Sequence, residues 1–107
     1  MRPEISHFLT EYIRRFKELN ANIDSLILFG SQARGTATIT SDIDIAVVAN
    51  GELPPRTRGE LMCLADDMDS RFEVNLFFTT RDNIENATEF FDTNSHIKKE
   101  GVVLWQS

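Results

Sequence analysis

Asp42-Ile43-Asp44 heads the apolar run Ile45-Ala46-Val47-Val48, and this pattern restricts the fold more tightly than any other stretch of the chain. Branched apolar residues in a row favour an extended strand. Residues two apart on a strand share a face. Ile43, Ile45 and Val47 therefore point one way, and Asp42, Asp44 and Ala46 the other. Two carboxylates side by side repel unless a cation lies near both. A fold that keeps both on one short strand is suited to a hard divalent cation. Mg²⁺ fits, since it accepts one or two carboxylates and completes its shell with waters and phosphate oxygens. Upstream, Gly30-Ser31 opens a turn that offers a place for those phosphates.

The rest of the chain supplies a small α/β frame. Ile5, Phe8, Leu9, Tyr12, Ile13, Phe16 and Leu19 follow the spacing of one helix face, and Pro3 suits its first turn. Leu26 to Phe29 reads as a short buried strand ended by Gly30, and Gly30 to Thr40 as a tight turn or single helical turn followed by a loop. Asp42 to Val48 is the second strand. Asn50-Gly51 and Pro54-Pro55 mark a loop. Leu61, Leu64, Ala65 and Met68 form a second helix face. Phe72 to Phe78 predicts a third strand, with Phe72, Val74, Leu76 and Phe78 on one face and Glu73 and Asn75 on the other. Ile84, Ala87, Phe90, Phe91 and Ile97 suggest a last helical region, which Gly101 would stop as a C-cap. Val102 to Trp105 is the final strand. The expected order is α, β, β, α, β, α, β, in a small mixed sheet with helices mainly against one face.

With 107 residues, the chain reads as one domain spanning residues 1–107. The formal net charge of −6 argues against a duplex-DNA or bulk-RNA binder, whose footprint is a basic patch. It does not exclude a nucleotide, because a metal neutralises the triphosphate locally. Cys63 is the single cysteine, so no internal disulfide and no thiolate metal cluster is expected. No apolar run approaches a transmembrane span, and the first residues lack a signal-peptide core. The cytoplasm is the default expectation.

Gly30-Ser31-Gln32-Ala33-Arg34-Gly35, followed by Ser41-Asp42-Ile43-Asp44-Ile45-Ala46-Val47, resembles the signature of the minimal nucleotidyltransferases. These belong to the DNA polymerase β-like nucleotidyltransferase superfamily. The resemblance covers nearly the whole chain. It implies transfer of a nucleotide from a nucleoside triphosphate, most simply AMP from ATP, with expulsion of pyrophosphate. Asp42 and Asp44 would hold Mg²⁺, and two such ions can steady the attacking and leaving oxygens. Gly30 would let the backbone approach the phosphates. Ser31 would donate to their oxygens, Arg34 would add a charge-assisted contact, and Gly35 would release the chain from the turn. Ser41 would orient a carboxylate. Similar minimal members act as antitoxins paired with an all-helical HEPN-type toxin, and some transfer AMP to a hydroxyl on it. A chain this short has little mass for an acceptor pocket of its own, which agrees with an acceptor held by a partner protein.

One position departs from the pattern. The resemblance implies a third carboxylate on the next strand, in a Val-Asp-Leu setting. Here the triplet is Val74-Asn75-Leu76. Asparagine can ligate through its carbonyl oxygen but carries no charge and cannot act as a base. Glu73 shares the strand face with Asn75 and is the candidate substitute. Loss of a general base commonly lowers rates about 10²–10⁴-fold. Nucleotide binding is thus better supported than turnover. The alternative is a catalytically impaired module that binds nucleotide or protein and neutralises a partner by contact. A polymerase fragment fits poorly, since the chain is acidic and lacks strand-tracking basic or aromatic segments.

Other residues carry bland expectations. His7 and His96 lack ligand spacing and read as solvated or capping. Asp66, Asp67 and Asp69 read as a solvated acidic helix face, or else a docking patch. Cys63 reads as a small packed residue, and Trp105 as packing or interface. The oligomeric state is left open.

Overall fold

The computed structural model describes residues 2–19, 22–38, 41–68 and 71–107. Helix α1, Pro3–Glu18, begins with proline in its first turn, carries Glu4 there, and ends with Arg15 and Lys17 in its last turn. Those charges complement the helix dipole. Its apolar stripe buries Ile5, Phe8, Leu9, Tyr12 and Phe16, as the spacing predicts. The chain continues through β1 (Ile23–Phe29), α2 (Gly30–Arg34), β2 (Ile43–Ala49), α3 (Pro55–Met68) and β3 (Val74–Thr80). It closes with α4 (Arg81–Glu85), α5 (Thr93–Glu100) and β4 (Val102–Gln106).

The four strands form one mixed sheet in the order β3-β2-β1-β4. β1 pairs antiparallel with both β2 and β4, while β2 and β3 run parallel. A parallel pair needs a crossover, and α3 supplies it. Leu26 and Leu28 of β1, with Ile43, Ile45 and Val47 of β2, meet α1 and Leu61 of α3 in the main core. Ala46 and Val48, on the opposite face of β2, are also buried. The short helices serve that face. Thr79 Oγ1 donates to Asn94 Oδ1 of α5 at 2.5 Å. Ile97 of α5 is buried. β2 is therefore buried on both sides from Ile45 to Val48, and Asp44 is half-buried at its start.

Several expectations need correction. The last helical region is two short helices, because Thr80 caps α4 and Asp92 caps α5 through their side chains. Phe90 and Phe91 lie between those helices and are 76% and 89% exposed, so their apolar spacing did not mark a core. Gly101 does end α5, but with φ −64° and ψ 141°, in extended rather than left-handed geometry. Its role is space, since a Cβ there would meet the Ile97 carbonyl oxygen and come within 2.6 Å of Ile27 Cγ2. Cys63 is exposed rather than packed. Strand β3 starts and ends two residues later than the alternation indicated.

Other readings agree with the structure. Gly30 to Arg34 forms a single short helix, and Gly35 leaves it in the left-handed conformation at φ 76°. Asp66 and Asp67 are exposed; Asp69 and the side chain of Ala65 lie outside the described residues, as do Ile39 and Thr40 of the loop before β2. Trp105 packs edge-on against Phe16 with ring centroids 5.7 Å apart. No helix among the described residues is long and apolar enough to cross a membrane.

Candidate active site

The site begins where β1 turns. Phe29, the last residue of β1, pairs with Asp44 in the antiparallel register. At Gly30 the backbone takes φ 72° and enters α2. Only glycine adopts that conformation readily. A side chain at Gly30 would also overlap the Asp44 carboxylate. Glycine is thus required twice at this point, for the turn and for the room that Asp44 occupies. The start of α2 lies directly beside that carboxylate.

β3 adds the third residue. The parallel register sets Asn75 opposite Asp44. Ile43 N–H donates to the Glu73 carbonyl oxygen at 2.8 Å, which ties together the beginnings of the two strands. Asn75 Nδ2 donates to Asp42 Oδ2 at 3.1 Å and to Asp44 Oδ1 at 3.3 Å. The amide nitrogen must face the carboxylates, because its carbonyl oxygen in the same place would meet two anions with no proton to share. Asp42, Asp44 and Asn75, three of the residues singled out from the sequence, therefore converge.

The remaining candidates have other partners. Arg34 Nη1 donates to Glu100 Oε1 at 2.9 Å and so ties α2 to the end of α5. Ser41 Oγ accepts from the Thr38 N–H at 2.8 Å, and Ser41 N–H donates back to the Thr38 carbonyl at 3.1 Å. This pair shapes the loop that delivers Asp42. Ser31 sits in the first turn of α2, where backbone N–H groups lack helical acceptors. Glu73 is exposed and precedes β3. Among the described residues no third His, Cys, Asp or Glu side chain gathers with the two aspartates, so Glu73 does not join them.

Two features of α2 and its surroundings were not foreseen. Glu100 holds Arg34 from far along the sequence, and nothing local announces the pairing. Gln32, on α2, is buried, with its Nε2 unpartnered among the described residues. Its place in the Gly30 to Gly35 motif was the one available signal.

The donor set suits Mg²⁺. Two carboxylate oxygens, one from each aspartate, face a single point that the Asn75 nitrogen now reaches. Hard oxygen donors, two carboxylates and an open side for water and phosphate match what that ion accepts.

The family model described as the nucleotidyltransferase domain matches residues 9–104. A Methanocaldococcus jannaschii protein named for protein adenylyltransferase activity is 42% identical over 53 residues. That match spans 49% of this chain and 35% of the relative, so the matched segment corresponds to about a third of that protein's length. A toxin–antitoxin complex crystallised with AMP-PNP superposes with a TM-score of 0.62 at 28% identity, over 91% of this chain and 73% of that one. A Shewanella oneidensis structure of a tri-AMPylated HEPN toxin with its MNT antitoxin gives a TM-score of 0.60 at 24% identity. It covers 95% of this chain and 72% of that one, and shares the fold.

Proposed function

We propose that this chain, which belongs to the nucleotidyltransferase domain family, transfers AMP from ATP to a hydroxyl of a partner protein and serves as the antitoxin of a HEPN/MNT-type pair. The observation that carries this reading is the convergence of Asp42 and Asp44 beside the start of α2, with glycine at position 30 keeping the space open. Asp42 and Asp44 would hold Mg²⁺, which supplies charge neutralisation at the phosphates. Ser31, through its hydroxyl and backbone N–H, would bind the outer phosphates at the first turn of α2. Arg34 would exchange Glu100 for a phosphate oxygen, keeping a charge-assisted contact. The acceptor oxygen attacks the α-phosphorus, the bond to the bridging oxygen breaks, pyrophosphate departs and the hydroxyl proton passes to solvent. Asn75 takes no proton, so the reaction runs without the base that a carboxylate there would provide.

The neighbours support the partner class. The M. jannaschii relative is named for protein adenylylation, and the structural neighbours include toxin–antitoxin assemblies with AMP-PNP or an AMPylated toxin. A specific observation also favours the second reading, a module that neutralises its partner by contact: the Asn75 amide bridges both aspartates.

The deciding experiment incubates the co-expressed helical partner with this chain, ATP and Mg²⁺ and reads the partner's intact mass. An AMP-sized gain that disappears with Asp42→Asn and Asp44→Asn together establishes the transferase. A stable complex with no mass gain establishes the contact module.

A further inference from the structure

We propose that Asn75 is a built-in placeholder for a cation, and that a divalent ion enters only by displacing its amide from Asp42 and Asp44. The inference deepens the proposed Mg²⁺ site and rests on that reading. One nitrogen, Nδ2, lies 3.1 Å from Asp42 Oδ2 and 3.3 Å from Asp44 Oδ1, so its two N–H groups satisfy both carboxylates at once. An amide has two donors on that nitrogen, and both are spent here. The point between two carboxylate oxygens is where a cation gains most from charge.

Asn75 is held there by the sheet. It sits opposite Asp44 in the parallel register, at the open edge of the site, and it is exposed, so its side chain has room to swing aside. The consequence separates two roles that asparagine could play. As a ligand through its carbonyl oxygen, Asn75 would raise cation affinity. As a placeholder it lowers affinity, because ion entry breaks two charge-assisted hydrogen bonds. With its nitrogen toward both aspartates, the amide occupies the point a cation would take and must leave it for the ion to enter. It also steadies the ion-free site by relieving the repulsion between the carboxylates.

The test titrates Mn²⁺ alone, without nucleotide or acceptor, into the intact chain and into Asn75→Ala and Asn75→Asp, by water-proton relaxation. Thermal melting is followed in parallel in chelator. Asn75→Ala should bind Mn²⁺ at least about tenfold tighter than the parent, the worth of one of the two charge-assisted hydrogen bonds, and should melt lower in chelator. Asn75→Asp should bind tighter still, because it adds a third negative ligand, and should show the lowest melting temperature in chelator and the largest rise on adding Mn²⁺. Equal or weaker Mn²⁺ binding by Asn75→Ala overturns the placeholder, and so does unchanged melting of Asn75→Ala in chelator. Failure of AMP transfer with these affinities as expected would instead count against the proposed reaction. No binding by the parent or by Asn75→Asp would overturn both.

Discussion

At the scale of single residues, conformation and packing place demands that composition does not reveal. Gly30 combines φ 72° with a neighbouring carboxylate where a Cβ would go. Gly30→Ala should therefore destabilise the protein by about 1–3 kcal/mol through backbone strain and push Asp44 away from Asp42. Denaturant unfolding reads the first effect. A loss of Mn²⁺ affinity larger than any caused by Gly35→Ala, where the space is open, reads the second. Tyr12 presents the opposite case. Its ring is fully buried and its hydroxyl lacks a partner among the described residues. Burial pushes the phenol well above its ordinary value, so the hydroxyl stays protonated and unsatisfied. An unpaired buried donor costs stability. Tyr12→Phe should thus leave the fold intact and raise its stability by about 1 kcal/mol, measurable as a higher midpoint in urea.

Elements are governed by their ends and faces. On α1, Glu11 accepts hydrogen bonds from Arg14 and Arg15. These hold its carboxyl at about 2, well below the ordinary carboxylate range, with the Arg14 bonds the larger influence. The folded value lies below the unfolded one, so the stabilisation is present above about pH 4.5 and is lost as pH falls toward about 2. The melting difference between the parent and Glu11→Gln should be steady near neutrality and vanish across that window. Because the group is open to solvent, high salt should shrink the difference at every pH. At the other end of the chain, Gly101, between α5 and β4, lies so close to α5 and β1 that a methyl group would strike Ile97 and Ile27. Gly101→Ala should lower stability by about 1–3 kcal/mol, seen as an earlier unfolding midpoint.

The whole molecule depends on one main core between α1, α3 and a face of the sheet. Leu28 lies at its centre with no exposed surface. Removing most of such a side chain costs about 2–5 kcal/mol, against a total of about 5–15 kcal/mol for an ordinary domain. Leu28→Ala should therefore leave a large unfolded fraction at 37 °C, visible as lost far-ultraviolet dichroism. The same architecture assembles the site. Parallel pairing of β2 with β3 brings Asn75 to Asp44, and antiparallel pairing of β1 with β2 brings Gly30 there. Shifting β3 by one residue would turn Asn75 to the other face.

The α1 stripe was legible in the sequence because helical periodicity is a local property. The same holds for the shared face of Asp42 and Asp44, since side chains alternate along any strand. The Gly30 to Gly35 turn was legible too, because backbone conformation near glycine is set within a few residues. Other features were decided only by tertiary structure. Asn75 bridges the aspartates because strand register placed it there. Arg34 meets Glu100 because α5 ends beside α2. Phe90 and Phe91 show the reverse failure: helical spacing without a surface to pack against leaves them in solvent. Periodicity says which way a side chain points relative to its neighbours in sequence. What it meets there depends on pairings between distant segments, which only the folded sheet supplies.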